Sequence, residues 1–242
     1  MFYTYFSLRR ADFLNWRSGL HLCVVSVLLA GCADGARTYE AGLAAYQQGK
    51  FKTARQSWVV AANDGNLDAQ NSLGWLYEKG KGVQPDFHRA ALWYSKAATQ
   101  GNGGAQLNLG NLYDNGRGVE KDYKKAARWF LAAAQQGNAE AQNNIGVMLG
   151  NGDGTRRDTA RSAYWLKRAA GQGYPAAQNS LGVLYFKGDG VDKNLDDALF
   201  WLELAVRYGQ AGAVQNRNFV RSFMTSEQIT LIYSRVDVWQ PN

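Results

Sequence analysis

Apolar residues along this chain fall at helical spacing, in short stretches punctuated by glycine. Between Asn66 and Gly101, Ala69, Leu73, Leu76 and Tyr77 stand at i, i+4, i+7 and i+8, which is one face of a helix. Gly80-Lys81-Gly82 ends that helix, because glycine accepts the left-handed backbone that follows a helix C-terminus. Val83 turns back inward and Pro85-Asp86 starts a second helix, with Ala90, Trp93, Tyr94, Ala97 and Ala98 as its apolar stripe. Gly101 and Asn102 close the hairpin.

The same phrase returns every 36 residues. Trp93 is followed by Trp129, Trp165 and Trp201, and Ala69-Gln70-x-x-Leu73-Gly74 returns from Ala105, Ala141 and Ala177. Gly80-x-Gly82-Val83 returns from Gly116 and Gly188. A fixed period of this size predicts an all-α solenoid, in which each hairpin buries its apolar face only against its neighbours. One column is costly: Gly74, Gly110, Gly146 and Gly182 lie inside a helix, where glycine is about 1 kcal/mol worse than alanine. A cost repeated at one register predicts a close helix approach with no room for a methyl group. The pairs Ala97-Ala98, Ala133-Ala134 and Ala169-Ala170 predict further close approaches, with the tryptophans filling the space between layers.

Ala-Gln-x-x-Leu-Gly-x-x-Tyr, Gly-x-Gly-Val, Ala-x-x-Trp-aromatic and Ala-Ala-x-x-Gly together resemble the Sel1-like repeat, a relative of the tetratricopeptide repeat. The resemblance covers residues 66–209 as four uninterrupted copies and implies a right-handed α-solenoid that binds other proteins. Residues 32–65 hold a shorter hairpin that resembles an ordinary tetratricopeptide unit acting as an N-terminal cap. Residues 210–242 are expected to close the other end, with a first helix over 213–223 and a last helix to about Val236 behind a Thr225–Gln228 capping box. The third copy departs from its siblings. Leu149 replaces the tyrosine of Tyr77, Tyr113 and Tyr185, Thr155 replaces the valine, and Ser162 stands where Ala126 and Ala198 stand.

Ahead of the repeats, Arg9, Arg10 and Arg17 precede an apolar run from Leu20 to Leu29. That run is too short to span a membrane, which takes about 20 apolar residues, and has the proportions of a signal-peptide core. It ends in Leu29-Ala30-Gly31-Cys32, which resembles the bacterial lipobox. The resemblance implies that residues 1–31 are removed and that Cys32 carries a palmitate-type lipid anchor. Ala33, rather than Asp, follows the cysteine, which implies the periplasmic face of the outer membrane.

Composition then removes several classes of function. The formal charge of +7 falls to +5 without residues 1–31, which hold three Arg and one Asp. One small basic cluster remains at Arg156, Arg157, Arg161, Lys167 and Arg168, and the aromatics sit at core spacing, so no nucleic-acid partner is expected. Past the leader there is a single histidine, His88, and with Cys32 lipidated no free thiol. No catalytic residues, metal site or cofactor are expected on so thin an inventory of bases and nucleophiles. The Gly-x-Gly loops follow helices and recur once per repeat, which fits loop geometry rather than phosphate binding.

What remains is surface. On the face that first helices present in such arrays, two columns of non-core positions can be read: Asn71, Leu107, Asn143 and Asn179, and Trp75, Asn111, Val147 and Val183. Asparagine amides both donate and accept, so the row either grips a bound segment or serves packing between repeats. Trp75 is a candidate anchor. The expected role is a membrane-anchored periplasmic scaffold or adaptor, not an enzyme, that holds a partner protein on this concave face. An immunity protein neutralising a secreted antibacterial effector, such as a phospholipase, is the alternative within binding functions. A cell-envelope hydrolase is the alternative from outside them.

Overall fold

The computed structural model describes residues 34–241. The expected leader, 1–31, and the expected lipid attachment at Cys32 lie outside the described residues. Within them the chain forms twelve helices and no strand. Residues 34–47 form α1 and Phe51–Asn63 form α2, joined by the short turn at 48–50. Four longer hairpins follow: α3 (Leu67–Lys79) with α4 (Phe87–Thr99), α5 (Gly103–Asn115) with α6 (Tyr123–Gln135), α7 (Ala139–Asn151) with α8 (Thr159–Gly171), and α9 (Pro175–Lys187) with α10 (Leu195–Arg207). α11 (Ala213–Arg221) and α12 (Ser226–Val238) complete the chain. None of these helices is long and apolar enough to cross a membrane.

The period in the sequence is a period in helix termini. Asn66, Asn102 and Asn138 cap the first helices by accepting from the backbone N–H three residues on, and Pro175 at the start of α9 replaces that device in the last copy. Asp86, Asp122, Asp158 and Asn194 cap the second helices in the same way. At the other end of each first helix Gly80, Gly116, Gly152 and Gly188 take the left-handed conformation. The second loop glycine has a different cause. A methyl group on Gly118 would lie 2.2 Å from the backbone carbonyl carbon of Phe87, and one on Gly190 would lie 2.1 Å from the Thr159 oxygen. Each Gly-x-Gly loop therefore presses onto the start of the preceding repeat's second helix.

The helix glycines confirm a close crossing. A Cβ on Gly74 would sit 2.5 Å from the Tyr94 ring, and on Gly110 it would sit 2.7 Å from Phe130. Leu166 and Leu202 stand in the same place over Gly146 and Gly182. The residue that fills each hairpin is thus the one after the tryptophan: Tyr94, Phe130, Leu166 and Leu202 are all buried. The expectation that the tryptophans fill the space between layers needs refining. Trp165 is buried as expected, whereas Trp93, Trp129 and Trp201 are half-buried, and Trp93 and Trp201 each touch the cores of two adjacent layers.

Neighbouring hairpins pack in sequence, and the stack bends. α7 approaches α9, and α9 approaches α11, more closely than any two of the second helices α4, α6, α8 and α10 approach each other. From α7 onward first helices therefore line the inner side, with the second helices splayed on the outer side. The capping box of Thr225 and Gln228 forms as expected. α12 lies against α10 rather than along α11, burying Ile232 and Val236. Beyond it, Trp239 packs edge-on against Trp201 at 6.3 Å and against Tyr208 at 6.1 Å. Pro241 reaches the turn at Gly173. The tail thus follows the second-helix side and leaves the inner side uncovered.

Candidate functional site: the inner face

Three hollows succeed one another along the first helices. One of about 240 Å³ is bounded by Leu43, Tyr46, Trp58, Asn71, Ser72 and Trp75. The next, also about 240 Å³, is lined by Trp75, Asn108, Asn111 and Asn115 with the charges of Glu78, Lys79, Arg117 and Glu140. The largest, about 590 Å³, lies between α7 and α9, where Val147, Asn179 and Val183 face Lys187, Asp189 and Arg157. Ser162 and Leu166 of α8 form its floor. Six of the eight expected surface residues therefore line hollows: Asn71, Trp75, Asn111, Val147, Asn179 and Val183.

The other two do not. Leu107 is buried, because α5 turns it into the core formed with Ala126 and Phe130 of α6 and Ile145 of the next layer. Asn143 is buried as well, its amide donating to Asn144 Oδ1 at 3.3 Å while its own oxygen finds no partner. Both leave the candidate site.

The asparagine row also divides its amides between neighbours and the surface. Asn108 donates to Asn71 Oδ1 at 3.0 Å, and Asn216 donates to Asn179 Oδ1 at 2.8 Å, each from the following first helix. Where the column holds Leu107 that acceptor is missing, and Asn144 turns to Asn111 Oδ1 at 3.5 Å. Repeat-to-repeat packing therefore engages the oxygens of Asn71 and Asn179. Asn108, Asn144 and Asn216 carry this ladder, and only their recurrence one position after the column could have signalled it.

Trp75 is not a free ring. It stands edge-on to Tyr46 of α1 at 5.6 Å and is half-buried, forming the wall between the first two hollows. Val147 is the most open apolar side chain of the row, 39% exposed. Glu78 is anchored by the Tyr94 hydroxyl, which donates to it at 2.9 Å, and by Lys79. Burial, reinforced by that carboxylate, pushes the Tyr94 hydroxyl well above the usual tyrosine range.

Sequence reading also missed the repeated glutamine. Gln70, Gln106, Gln142 and Gln178 are buried, and each donates to a carbonyl near the end of the preceding second helix: Ala62, Ala98, Ala134 and Ala170. The register itself was visible, but the partner lies across a turn in the previous layer. Elsewhere, His88 is exposed, its Nδ1 3.3 Å from the Gly118 carbonyl oxygen of the next loop. Among the described residues no group of three His, Cys, Asp or Glu side chains stands close enough to hold a metal ion.

The sequence profile of the Sel1 repeat matches residues 67–102, 104–138, 139–174 and 175–207. Among solved structures, the chain is similar to a protective antigen present in uropathogenic Escherichia coli strains that displays an SLR fold. The identity is 33% and the TM-score 0.76, over 84% of this chain and 44% of that one. The chain thus spans less than half the length of the antigen. It is also similar to a Sel1 repeat protein from Oxalobacter formigenes, at 29% identity and TM-score 0.71, over 82% of this chain and 84% of that one. PilF of Pseudomonas aeruginosa shares the fold at 16% identity and TM-score 0.58, over 86% of this chain and 92% of that one. No curated protein matches the chain.

Proposed function

This chain belongs to the Sel1 repeat family, and from that premise we propose that it is an envelope adaptor which holds a partner protein along the inner face of its solenoid. One observation carries the reading. The first helices carry a row of three hollows, lined by mixed charges, asparagine amides and exposed Val147, with none of the described tail among their lining residues. Such a surface offers shape and hydrogen bonds to a folded or extended protein segment, whereas a small substrate calls for one enclosed cleft with converging reactive groups. The partner is bound and released without bond chemistry.

Replacing Val147 and Val183 together by Glu tests the binding face. The double variant keeps the melting temperature of the parent, because both side chains point into open hollows. It loses the stoichiometric partner that the parent retains on purification from envelopes. Full retention of that partner would remove the inner face from the account. The identity of the retained protein separates two roles of the same surface. An envelope assembly factor marks a scaffold, and an enzyme silenced on binding marks an immunity protein.

The adaptor is further proposed to be tethered by lipid at Cys32 on the periplasmic side of the outer membrane. Leu29-Ala30-Gly31-Cys32 directly after an apolar run supports this, since acyl chains contribute roughly 0.8 kcal/mol per buried methylene and two or more anchor durably. Cys32→Ser is expected to leave the helical spectrum unchanged and to shift the protein from the membrane to the soluble fraction. Continued sedimentation with membranes would argue against the anchor.

A further inference from the structure

On the opposite side of the solenoid the third repeat carries a pocket of about 810 Å³. Its rim comes from second helices, with Lys124 and Arg128 of α6 facing Arg161 of α8, and its floor is Ile145 and Leu149 of α7. The inner hollow between α7 and α9 has the reverse construction, with first helices at the rim and α8 as the floor. The two sites therefore lie on different sides of the α7–α8 hairpin, with Arg157 the one residue lining both.

The third copy's departures account for the pocket. In the first two copies a tyrosine stands at the register of Leu149 and lies beneath a basic side chain. The Arg89 guanidinium is 5.7 Å from the Tyr77 ring, and the Lys125 ammonium is 5.2 Å from the Tyr113 ring. Leu149 is smaller, so among the described residues Arg161, at the register of Arg89 and Lys125, has no ring beneath it and its side chain pairs with Asp158 alone, at 3.9 Å. Thr155, in place of valine, turns its hydroxyl to the Met148 carbonyl.

Charge and chemistry then select the occupant. Five basic residues line the pocket, Lys124, Arg128, Arg156, Arg157 and Arg161, against the single acid Asp158. Asp158 is already occupied as the cap of α8, accepting from the Arg161 backbone N–H. Arg157 is held by Asp189 and by the Gly150 carbonyl. Lys124, Arg128 and Arg156 are exposed and make no ion pair among the described residues. No aromatic side chain lines the pocket, so it lacks the stacking platform that a nucleic acid uses. Its floor is apolar and recessed, which suits an inserted aliphatic side chain better than a flat layer of headgroups. We propose that this outer pocket docks an acidic segment of a partner protein, its carboxylates on Lys124, Arg128 and Arg156 and an aliphatic side chain on Ile145 and Leu149. The proposal goes beyond the inner-face reading and stands without it.

Fluorescence anisotropy of the full chain with a labelled peptide of alternating Glu and Leu tests it. Saturable binding is expected, with a loss of roughly tenfold in affinity for Arg128→Glu combined with Arg156→Glu. A similar loss is expected for Leu149→Tyr, which restores the side chain that its sibling repeats carry and fills the pocket. Leu92→Glu, at an exposed position of α4 outside both sites, keeps the parental affinity. Three results would overturn the proposal: no saturable binding of the Glu–Leu peptide, unchanged affinity in Leu149→Tyr, or equal binding of a Glu–Ser peptide. Stronger binding to phosphatidylglycerol vesicles than to the peptide would replace the partner segment with a membrane surface.

Discussion

A glycine in the middle of a helix carries information here because it is paid back at a known place. Gly110 faces the Phe130 ring, and the backbone of α5 approaches α6 as closely as that ring allows. Gly110→Val forces a branched side chain into this crossing and is expected to destabilise by about 3 kcal/mol, the upper part of the usual range for overpacking. Adding Phe130→Ala restores part of the loss, since the two changes share one volume. Thermal or urea unfolding checks both, and an unchanged melting temperature in Gly110→Val would contradict the packing argument. The sequence disclosed this crossing through its repeated cost but hid the identity of the residue across it. Tryptophan, the larger and more visible side chain, draws attention away from Tyr94 and Phe130, which do the filling. The buried glutamines and the asparagine ladder were hidden for a related reason. Their partners lie in adjacent layers, and a period reveals which positions matter without revealing whom they face.

At the scale of helices, the glycine stops and the Thr225–Gln228 cap were legible because they depend on neighbours a few residues away. The Asn and Asp N-caps of the repeats went unread, although their chemistry is equally local. Asp86, the glycine at position 80 and the Thr225–Gln228 box each needed only local chemistry. The last hairpin was harder to read. The spacing of Ile229, Ile232, Tyr233 and Val236 turns one face of α12 to the final repeat, and Ile232 and Val236 are buried there on α10, but nothing local says that α12 leaves α11. That choice is made by long-range contacts, among them the Arg207 guanidinium on the Val236 carbonyl at 2.9 Å and Trp239 on Trp201. Trp239→Ala is expected to cost about 2 kcal/mol locally, less than the full loss of a buried aromatic because the ring is half-exposed. In a stack held by nearest-neighbour contacts, amide hydrogen exchange should quicken in α10 and α12 and remain unchanged in α3 to α6. Uniform quickening over the whole chain would instead mean that the array unfolds as one unit.

For the whole molecule, the repeat period was enough to fix a one-dimensional stack, and the bend of that stack decides which surfaces are offered. First helices crowd together inside, so their outward positions merge into one face. Second helices spread outside, so any gap between them becomes a separate pocket. The two sites differ accordingly. The inner face is distributed, mixed in charge and shared among repeats, whereas the outer pocket is basic, local and built where the third copy departs from its siblings. Reading columns from the sequence found six residues that line the hollows but also placed Leu107 and Asn143 there, since an ideal period cannot show where one layer leans into the next. The basic cluster was visible too, but only the fold separates Arg156, Arg157 and Arg161, which join Lys124 and Arg128 at the pocket, from Lys167 and Arg168, which do not.

Site-specific photo-crosslinking tests the inner face as a protein-binding surface most directly. A photoreactive phenylalanine derivative placed at Val147 or Val183 should yield one adduct with the same partner protein in native envelopes. The same probe at Leu92, 53% exposed on α4, should yield none of it. Adducts formed equally from Leu92, or none from Val147 and Val183, would contradict the account.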